Sequence, residues 1–458
     1  MNTDNLFEPQ KAHAKVLLDS IYLNGFCVDM SMLGTGKTFV AASVAKNLNI
    51  PIVIICPKIS ITMWNKVLDI FNIKPHIIIN YEKLMRGSTA YLKYDKKAYI
   101  NGHHWESEKG MKINFPKESL VILDEAHKCR GLKSHNSRFL VALKNSGYKY
   151  HLISATIATN PLDMRAFGYA VNLHNGYDFK TFIKNSGGIP DNYGGLKIDL
   201  SNDKTQNAMK HIHTTLFDEY KCASRMTITQ FGNIFPKNNI IASAFDMGDN
   251  NNKIQYVYND MESELGKLDD RIKNYSQHVF AIIMAARRKI ELLKVPTMVE
   301  LIEDYFDNNT SVIAFFNFTD TIDAVINRLK DVKFNNTIGK IVGGQTIKQR
   351  QSDIDDFNSD KKRIMIAAVK AGNASISLHD LNGNYPRNVI ISPSFSSIDM
   401  EQCLGRAARA EGKTPVNQKF IYALNSIEER IAVRINDKMK ATGILNDGDL
   451  LPNIGIFH

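Results

Sequence analysis

The stretch FCVDMSMLGTGKTFVAASVAKNL, Phe26 to Leu48, decides the fold. FCVDM reads as a buried strand and TFVAASVAKNL carries a helical pattern, so MLGTGKT is the turn between them. In such a turn the loop N–H groups and the helix N-terminus face one spot and favour an anion there. Gly34 and Gly36, flanking Thr35, permit close backbone approach; Lys37 is placed to meet the β- and γ-phosphates of a nucleotide, and Thr38 to set its hydroxyl on Mg2+. Ser31 stands where such loops usually open with glycine, and a small side chain is sterically compatible with that place.

Outward from this turn, short apolar, β-branched runs alternate with helical patterns. They are CVDM, IVIICP, HIIIN, LVILDEA and YHLISAT, then SVIAFFN, KIVGG, RIMIAAV, RNVIISP and KFIYAL. Runs apolar on both faces and spaced by helices indicate a parallel sheet covered on each side, and two such series imply two α/β domains. The join is expected in FDMGDNNNKIQ, where Gly, Asn and Asp cluster. Residues 1–244 are then the first domain, 245–256 a linker and 257–458 the second domain. Polar stretches at about 93–119 and 175–235 read as surface excursions of the first domain. His103 and His104 read as surface-loop residues, since sequence neighbours cannot form a ligand set alone.

Composition sets the class. With 458 residues, 44% hydrophobic and 23% charged, the chain should fold as two or three domains. A net charge of +10 permits a polyanionic partner through counterion release and fits equally a basic protein with none. The five cysteines show no CxxC spacing, which argues against a structural zinc or a disulfide framework and for a reducing compartment. PIVIIC and SVIAFF are only strand length and the N-terminus lacks a basic region followed by an apolar run, so a soluble, intracellular protein is expected.

In VILDEAHK an apolar strand ends in two carboxylates. The chain turns at a strand's C-terminal end, so Asp124 is assigned to the metal and Glu125 to activation of water. In QCLGRAAR, Arg406 and Arg409 lie three apart and would share a face on one helical turn; a solvated basic face is the ordinary alternative.

GTGKT, DEAH (Asp124 to His127), SAT (Ser154 to Thr156) and QCLGRAAR (Gln402 to Arg409) occur in this order along nearly the whole chain. Together they resemble the motifs of superfamily 2 helicases and translocases, both DEAD/DEAH-box and Swi/Snf-like, and those of helicases from large DNA viruses and phages. The resemblance implies two tandem RecA-like domains, each a mostly parallel sheet covered by helices, with an ATP cleft between them, and ATP and Mg2+ as cofactors. It implies that Gln10 of FEPQKAH reads adenine, that Arg406 and Arg409 are arginine fingers with Gln402 near the attacking water or γ-phosphate, and that His127, Ser154 and Thr156 couple hydrolysis to nucleic acid. Nucleic-acid contacts are implied at Pro57 and Lys58 of IICPKISITMW, Asn80 of NYEKL, Gly344 and Thr346 of GGQTIKQR, and Gly372 and Ser375 of VKAGNASIS. Trp64 suits core packing as well as a strand contact. Arg225 resembles the arginine segment before the Swi/Snf linker, and NSIEERIAVRINDKM their closing brace helix; SAT departs from the GTP-like triplet usual in that branch.

The activity implied is an ATP-driven translocase or helicase acting mainly on DNA, duplex or single-stranded, with a monomeric core and partner proteins for targeting. A DEAH-type RNA helicase is the alternative, although no C-terminal helical extension is visible after Met439. An inactive ATP-binding scaffold is the competing class, and the presence of Lys37, Glu125 and Arg409 speaks against it.

Overall fold

The structure, a computed structural model, describes residues 4–424 apart from 88, 132–133, 191–194, 269–274, 333, 335, 373–375 and 395, together with Glu428. It forms two compact units, the first ending at Gly232 and the second beginning at Asn233.

The first unit carries, in chain order, β1 (Phe26–Asp29), β2 (Ile52–Cys56), β3 (Ile77–Asn80), β4 (Leu92–Tyr94), β5 (Met111–Ile113), β6 (Leu120–Asp124), β7 (Lys149–Ile153), β8 (Ile189–Pro190), β9 (Leu196–Lys197) and β10 (Ala223–Ser224). Six of these make one parallel sheet in the order β10-β1-β7-β6-β2-β3. Helices α1 (Glu8–Asn24), α2 (Lys37–Leu48), α3 (Ser60–Ile70) and α4 (Tyr81–Met85) punctuate its first half. Every residue of β1 and β2 is buried, as expected of strands covered on both faces. The remaining strands form two antiparallel ribbons, β4-β5 and β8-β9, within the expected excursions. His104 departs from the surface-loop reading: it is buried, with its ring edge-on to Trp105.

The second unit holds β11 (Asn238–Phe245), β12 (Ser311–Phe316), β13 (Ile338–Ile341), β14 (Ile364–Ala368), β15 (Arg387–Ile391) and β16 (Val416–Ala423). They form a parallel sheet in the order β11-β16-β15-β12-β14-β13, around a fully buried β12. Each unit is thus a parallel sheet covered by helices, and the chain is a tandem pair of RecA-like α/β domains.

Two edge strands differ from the sequence expectation. β10 lies inside the stretch read as an excursion, yet it extends the first sheet beside β1. β11 pairs along its whole length with β16, so the second sheet begins before residue 245, and the expected linker instead runs into a helix, Asn251–Gly266. β11 is an edge strand opening with two Asn and carrying Ala and Ser, with every residue exposed or half-exposed, and such a strand sends no strong apolar signal.

No helix among the described residues is long and apolar enough to cross a membrane. The cysteines are all free and buried.

Candidate nucleotide site

The sheet order explains why motifs far apart in sequence meet. β7 lies between β1 and β6, so the strand ends that carry SMLGTGKT, SAT and DEAH are consecutive along one sheet edge. In parallel α/β sheets this C-terminal edge is where ligands bind.

The loop after β1 turns through Gly34 and Gly36, both at φ 83°, in the left-handed region that favours glycine. Gly36 caps α2, and Lys37 begins it. The Lys37 ammonium folds back over the loop and donates to the carbonyls of Ser31 (2.9 Å) and Met32 (3.0 Å). Burial pushes its pKa below the ordinary value, while Asp29, Glu125 and Asp124 pull it up. Gln10 reaches the loop from α1: its amide nitrogen donates to the Thr35 carbonyl at 2.8 Å, and its amide oxygen accepts the Phe7 N–H at 2.9 Å. One donor and one acceptor position of that amide remain beyond these two bonds.

Ser31 does more than fit. Its N–H donates to Asp29 Oδ1 at 2.9 Å, its hydroxyl oxygen accepts the Met226 N–H at 2.9 Å, and the same hydroxyl lies 3.1 Å from His13 Nε2. Asp29 is fully buried at the end of β1, with His13 Nε2 3.1 Å from its Oδ1. Burial raises the pKa of this carboxyl, but His13, and then Lys37, outweigh it and hold the group well below the usual carboxylate range. Arg225, one residue past β10, donates to the Met30 carbonyl at 2.6 Å. Arg225 and Met226, near the end of the first unit, therefore line this loop.

At the end of β6, the Asp124 carboxylate accepts the Trp64 indole N–H at 3.0 Å, and its carbonyl accepts the Tyr81 hydroxyl at 2.9 Å. Burial, and then the neighbouring Glu125, push the Asp124 carboxyl up to about 7, against the opposing pull of Trp64 and Lys37. Glu125 is left-handed at φ 56°, a strained conformation of a kind that collects at functional sites. Its Oε2 lies 3.2 Å from His127 Nδ1, which in turn lies 3.1 Å from the Ser154 hydroxyl. Ser154 also accepts the Thr156 N–H at 3.3 Å. DEAH and SAT are thus joined by a direct polar chain, His127 to Ser154 to Thr156.

In the second unit the helix Ser397–Leu404 carries a buried Gln402 and stops at its cap, Gly405. The expected single helical turn through Arg406 and Arg409 is not formed, because the chain leaves the helix one residue too early. The two side chains converge on another segment instead: Arg406 Nη1 reaches the Ile376 carbonyl at 3.4 Å, and Arg409 Nη1 donates to the Ser377 hydroxyl at 2.7 Å. Burial, then Arg406, lower the Arg409 pKa.

The residues expected to meet nucleic acid are dispersed. Pro57 and Lys58 follow β2, with Lys58 exposed. Asn80 caps α4, accepting the Lys83 N–H at 3.2 Å. Gly344, at φ 82°, and Thr346, the cap of the helix Ile347–Asn358, are exposed beside a surface pocket of roughly 750 Å3. Gly372 ends the short helix Val369–Gly372, while Ser375 and the brace segment except Glu428 lie outside the described residues. In AARRKIELLK the basic run divides: Arg287 is buried and donates to the Pro393 carbonyl at 2.8 Å, Arg288 pairs with Asp320, and Lys289 is exposed.

The sequence reading passed over Trp64 as the partner of Asp124, and over His13 and Asp29. A signal existed for the last two: a carboxylate inside an otherwise apolar strand, and a histidine one helical turn from Gln10.

By sequence, residues 294–411 match the helicase conserved C-terminal domain. A putative ATP-dependent RNA helicase, L364, of Acanthamoeba polyphaga mimivirus is 32% identical over 462 residues, covering 97% of this chain and 84% of that protein. The DNA repair and recombination protein RAD54-like of Drosophila erecta is 27% identical over 146 residues, 31% of this chain and 18% of that protein. Among solved structures, the Sulfolobus solfataricus SWI2/SNF2 ATPase core in complex with dsDNA aligns over 98% of this chain and 94% of its own, at 15% identity and a TM-score of 0.36. With the phosphate loop, the DEAH carboxylates and the arginine segment each on its RecA-like unit, and a viral helicase alike over 97% of this chain, the chain belongs to the superfamily 2 helicases, nucleic-acid-stimulated enzymes that hydrolyse ATP.

Proposed function

We propose that this enzyme uses Mg2+ and ATP to move along, or remodel, DNA. The observation that supports this most is the gathering of Lys37, Asp124, Glu125 and the His127–Ser154 contact on consecutive strand ends. Charge, hydrogen-bond acceptors and a coupling path then share one edge.

The residues present fit a magnesium ion. The Asp124 carboxylate and the Thr38 hydroxyl are hard oxygen donors, and a half-buried carboxyl pushed up by desolvation and then by a second carboxylate is one that a divalent cation would return to its ionised form. When bound, Mg2+ would neutralise charge on the β- and γ-phosphates. Lys37 exchanges the Ser31 and Met32 carbonyls for phosphate oxygens, and the loop N–H groups hold the remainder. Gln10 presents its remaining donor and acceptor to the adenine edge. Glu125 takes the proton of the attacking water, and His127, bonded to both Glu125 and Ser154, carries the change toward Thr156. Arg406 and Arg409 supply positive charge to the transition state, with Gln402 beside the attacking water. Two guanidiniums converging on one segment favour an anionic partner, which relieves their mutual repulsion. Pro57, Lys58, Asn80, Gly344, Thr346, Gly372 and Ser375 are the proposed contacts to the strand backbone, with sequence-independent recognition.

DNA is favoured over RNA by the likeness to RAD54-like proteins and to the Swi/Snf stretches around Trp64 and Arg225. The mimivirus relative carries an RNA name, so RNA is the second reading. Steady-state phosphate release with duplex DNA, single-stranded DNA and RNA separates them: stimulation by RNA alone would move the substrate to RNA. Lys37→Ala and Glu125→Gln each abolish the stimulated turnover; full activity in either would sink the assignment of the site.

A further inference from the structure

α1 grips both ends of the phosphate loop. Gln10 holds the Thr35 carbonyl at 2.8 Å, and three residues later His13 reaches the other end, with Nε2 3.1 Å from both the Ser31 hydroxyl and Asp29 Oδ1. Residues three apart share a helix face, so both grips come from one side of α1. The other ring nitrogen, His13 Nδ1, lies 2.8 Å from the Ser224 hydroxyl on β10. The imidazole therefore bridges the loop to the neighbouring strand, and both of its nitrogens are used.

Asp29 makes this bridge more than packing. A buried charge is costly unless it is paired and hydrogen-bonded. Its Oδ1 takes the Ser31 N–H and faces His13, while its Oδ2 is buried and has no hydrogen-bond partner among the described residues. Removing His13 would strip the carboxylate of its closest side-chain partner and leave the Ser31 N–H as its hydrogen-bond donor among the described residues. Ser31 is thereby fixed through its N–H, its hydroxyl and its carbonyl, and that carbonyl is the resting partner of Lys37.

We propose that His13 and Asp29 are positioning residues of the nucleotide site: by fixing Ser31 they set where Lys37 rests, and so how readily it meets the phosphates of ATP. This rests on the ATPase reading above. Neither residue touches the nucleotide; both act through Ser31 and Lys37.

The test is a kinetic split with a conservative rescue in the full chain, comparing His13→Ala, His13→Gln, Asp29→Asn and Ser31→Ala. Removing His13 should raise KM for ATP, and the Kd for a fluorescent ATP analogue, about tenfold, as expected from roughly 1.4 kcal/mol of lost positioning. The fall in kcat should be smaller than the rise in KM. Glutamine, which restores an N–H and an oxygen at similar reach, should recover most of the affinity. Parallel loss of kcat and KM without rescue by Gln would overturn the proposal, as would an unchanged Kd in His13→Ala. If His13→Ala does not fold, Ser31→Ala decides: it should weaken binding about threefold, and wild-type affinity would overturn the proposal. A wild-type protein that binds the analogue but never hydrolyses ATP would sink the ATPase reading alone, since Kd still reports on His13.

Discussion

Asp124 sits half-buried at the end of β6, where its carboxylate accepts the Trp64 indole N–H. Trp64, fully buried in α3, thus fills the core and holds the Asp124 carboxylate at once. A hydrogen bond to a charged group contributes about 1.5–3 kcal/mol, more than a neutral one. Trp64→Phe keeps a ring in the core and removes that donor. The Asp124 carboxyl would then rise further above its ordinary range, because the indole N–H now pulls it down. We expect kcat for stimulated ATP hydrolysis to fall about tenfold, the equivalent of roughly 1.4 kcal/mol, with a smaller change in ATP affinity. Phosphate-release kinetics alongside a melting curve check this; wild-type kcat would show that the indole only packs.

At the scale of elements, the contact between α1 and the phosphate loop depends on Gly36. Its φ of 83° is left-handed, and a Cβ there would collide with the Gln10 amide nitrogen. Gly36→Ala therefore combines about 1–2 kcal/mol of backbone strain with displacement of Gln10 from Thr35. Gly25, the cap of α1, has a similar φ of 78° but open space around its Cβ position, so Gly25→Ala carries the strain without the collision. Binding of a fluorescent ATP analogue should weaken at least tenfold in Gly36→Ala and stay near wild type in Gly25→Ala; equal losses in both would mean that strain alone, and not the α1 contact, governs the loop. The same scale shows what the sequence disclosed. Strands such as IVIIC and SVIAFF were legible because burial on both faces demands continuous apolar runs. β10, of two residues, and β11, at an edge with every residue exposed or half-exposed, carry no such demand and stayed hidden. GKT and DE were legible as a helix start and a strand end, whereas the helix end at Gly405 was not, since three-residue spacing assumes a helix that this glycine terminates. Partners such as Trp64 to Asp124, sixty residues apart, exist only once β2 and β6 are neighbours.

The whole molecule carries a pH dependence built from groups in both units. His104 and His151 in the first unit and His379 in the second are each pushed down to about 4, with burial the leading cause. An unfolded chain protonates histidine near pH 6.5, so between about 6.5 and 4 the unfolded state binds protons that the native state refuses. Their contribution is fully present above pH 6.5 and is lost as pH falls through about 4. His151 is fully buried and neither ring nitrogen has a hydrogen-bond partner among the described residues, so its share reaches up to about 3 kcal/mol; His104 and His379 contribute less. Asp124 works in the opposite direction. Its carboxyl is raised to about 7, so its ionised form costs stability at neutral pH, and that cost is relieved as pH falls below 7 toward the ordinary carboxylate range. The two effects separate by mutation. His151→Leu removes a group that must charge in acid while keeping apolar volume in β7, so its melting temperature relative to wild type should be higher at pH 5 than at pH 7.5. Asp124→Asn should do the reverse, gaining most at pH 7.5 in metal-free buffer and losing that advantage at pH 5. Melting curves across this range decide the matter: if His151→Leu tracks the wild type at every pH, the histidine is not held neutral by burial, and the acid sensitivity of the first unit must come from other groups.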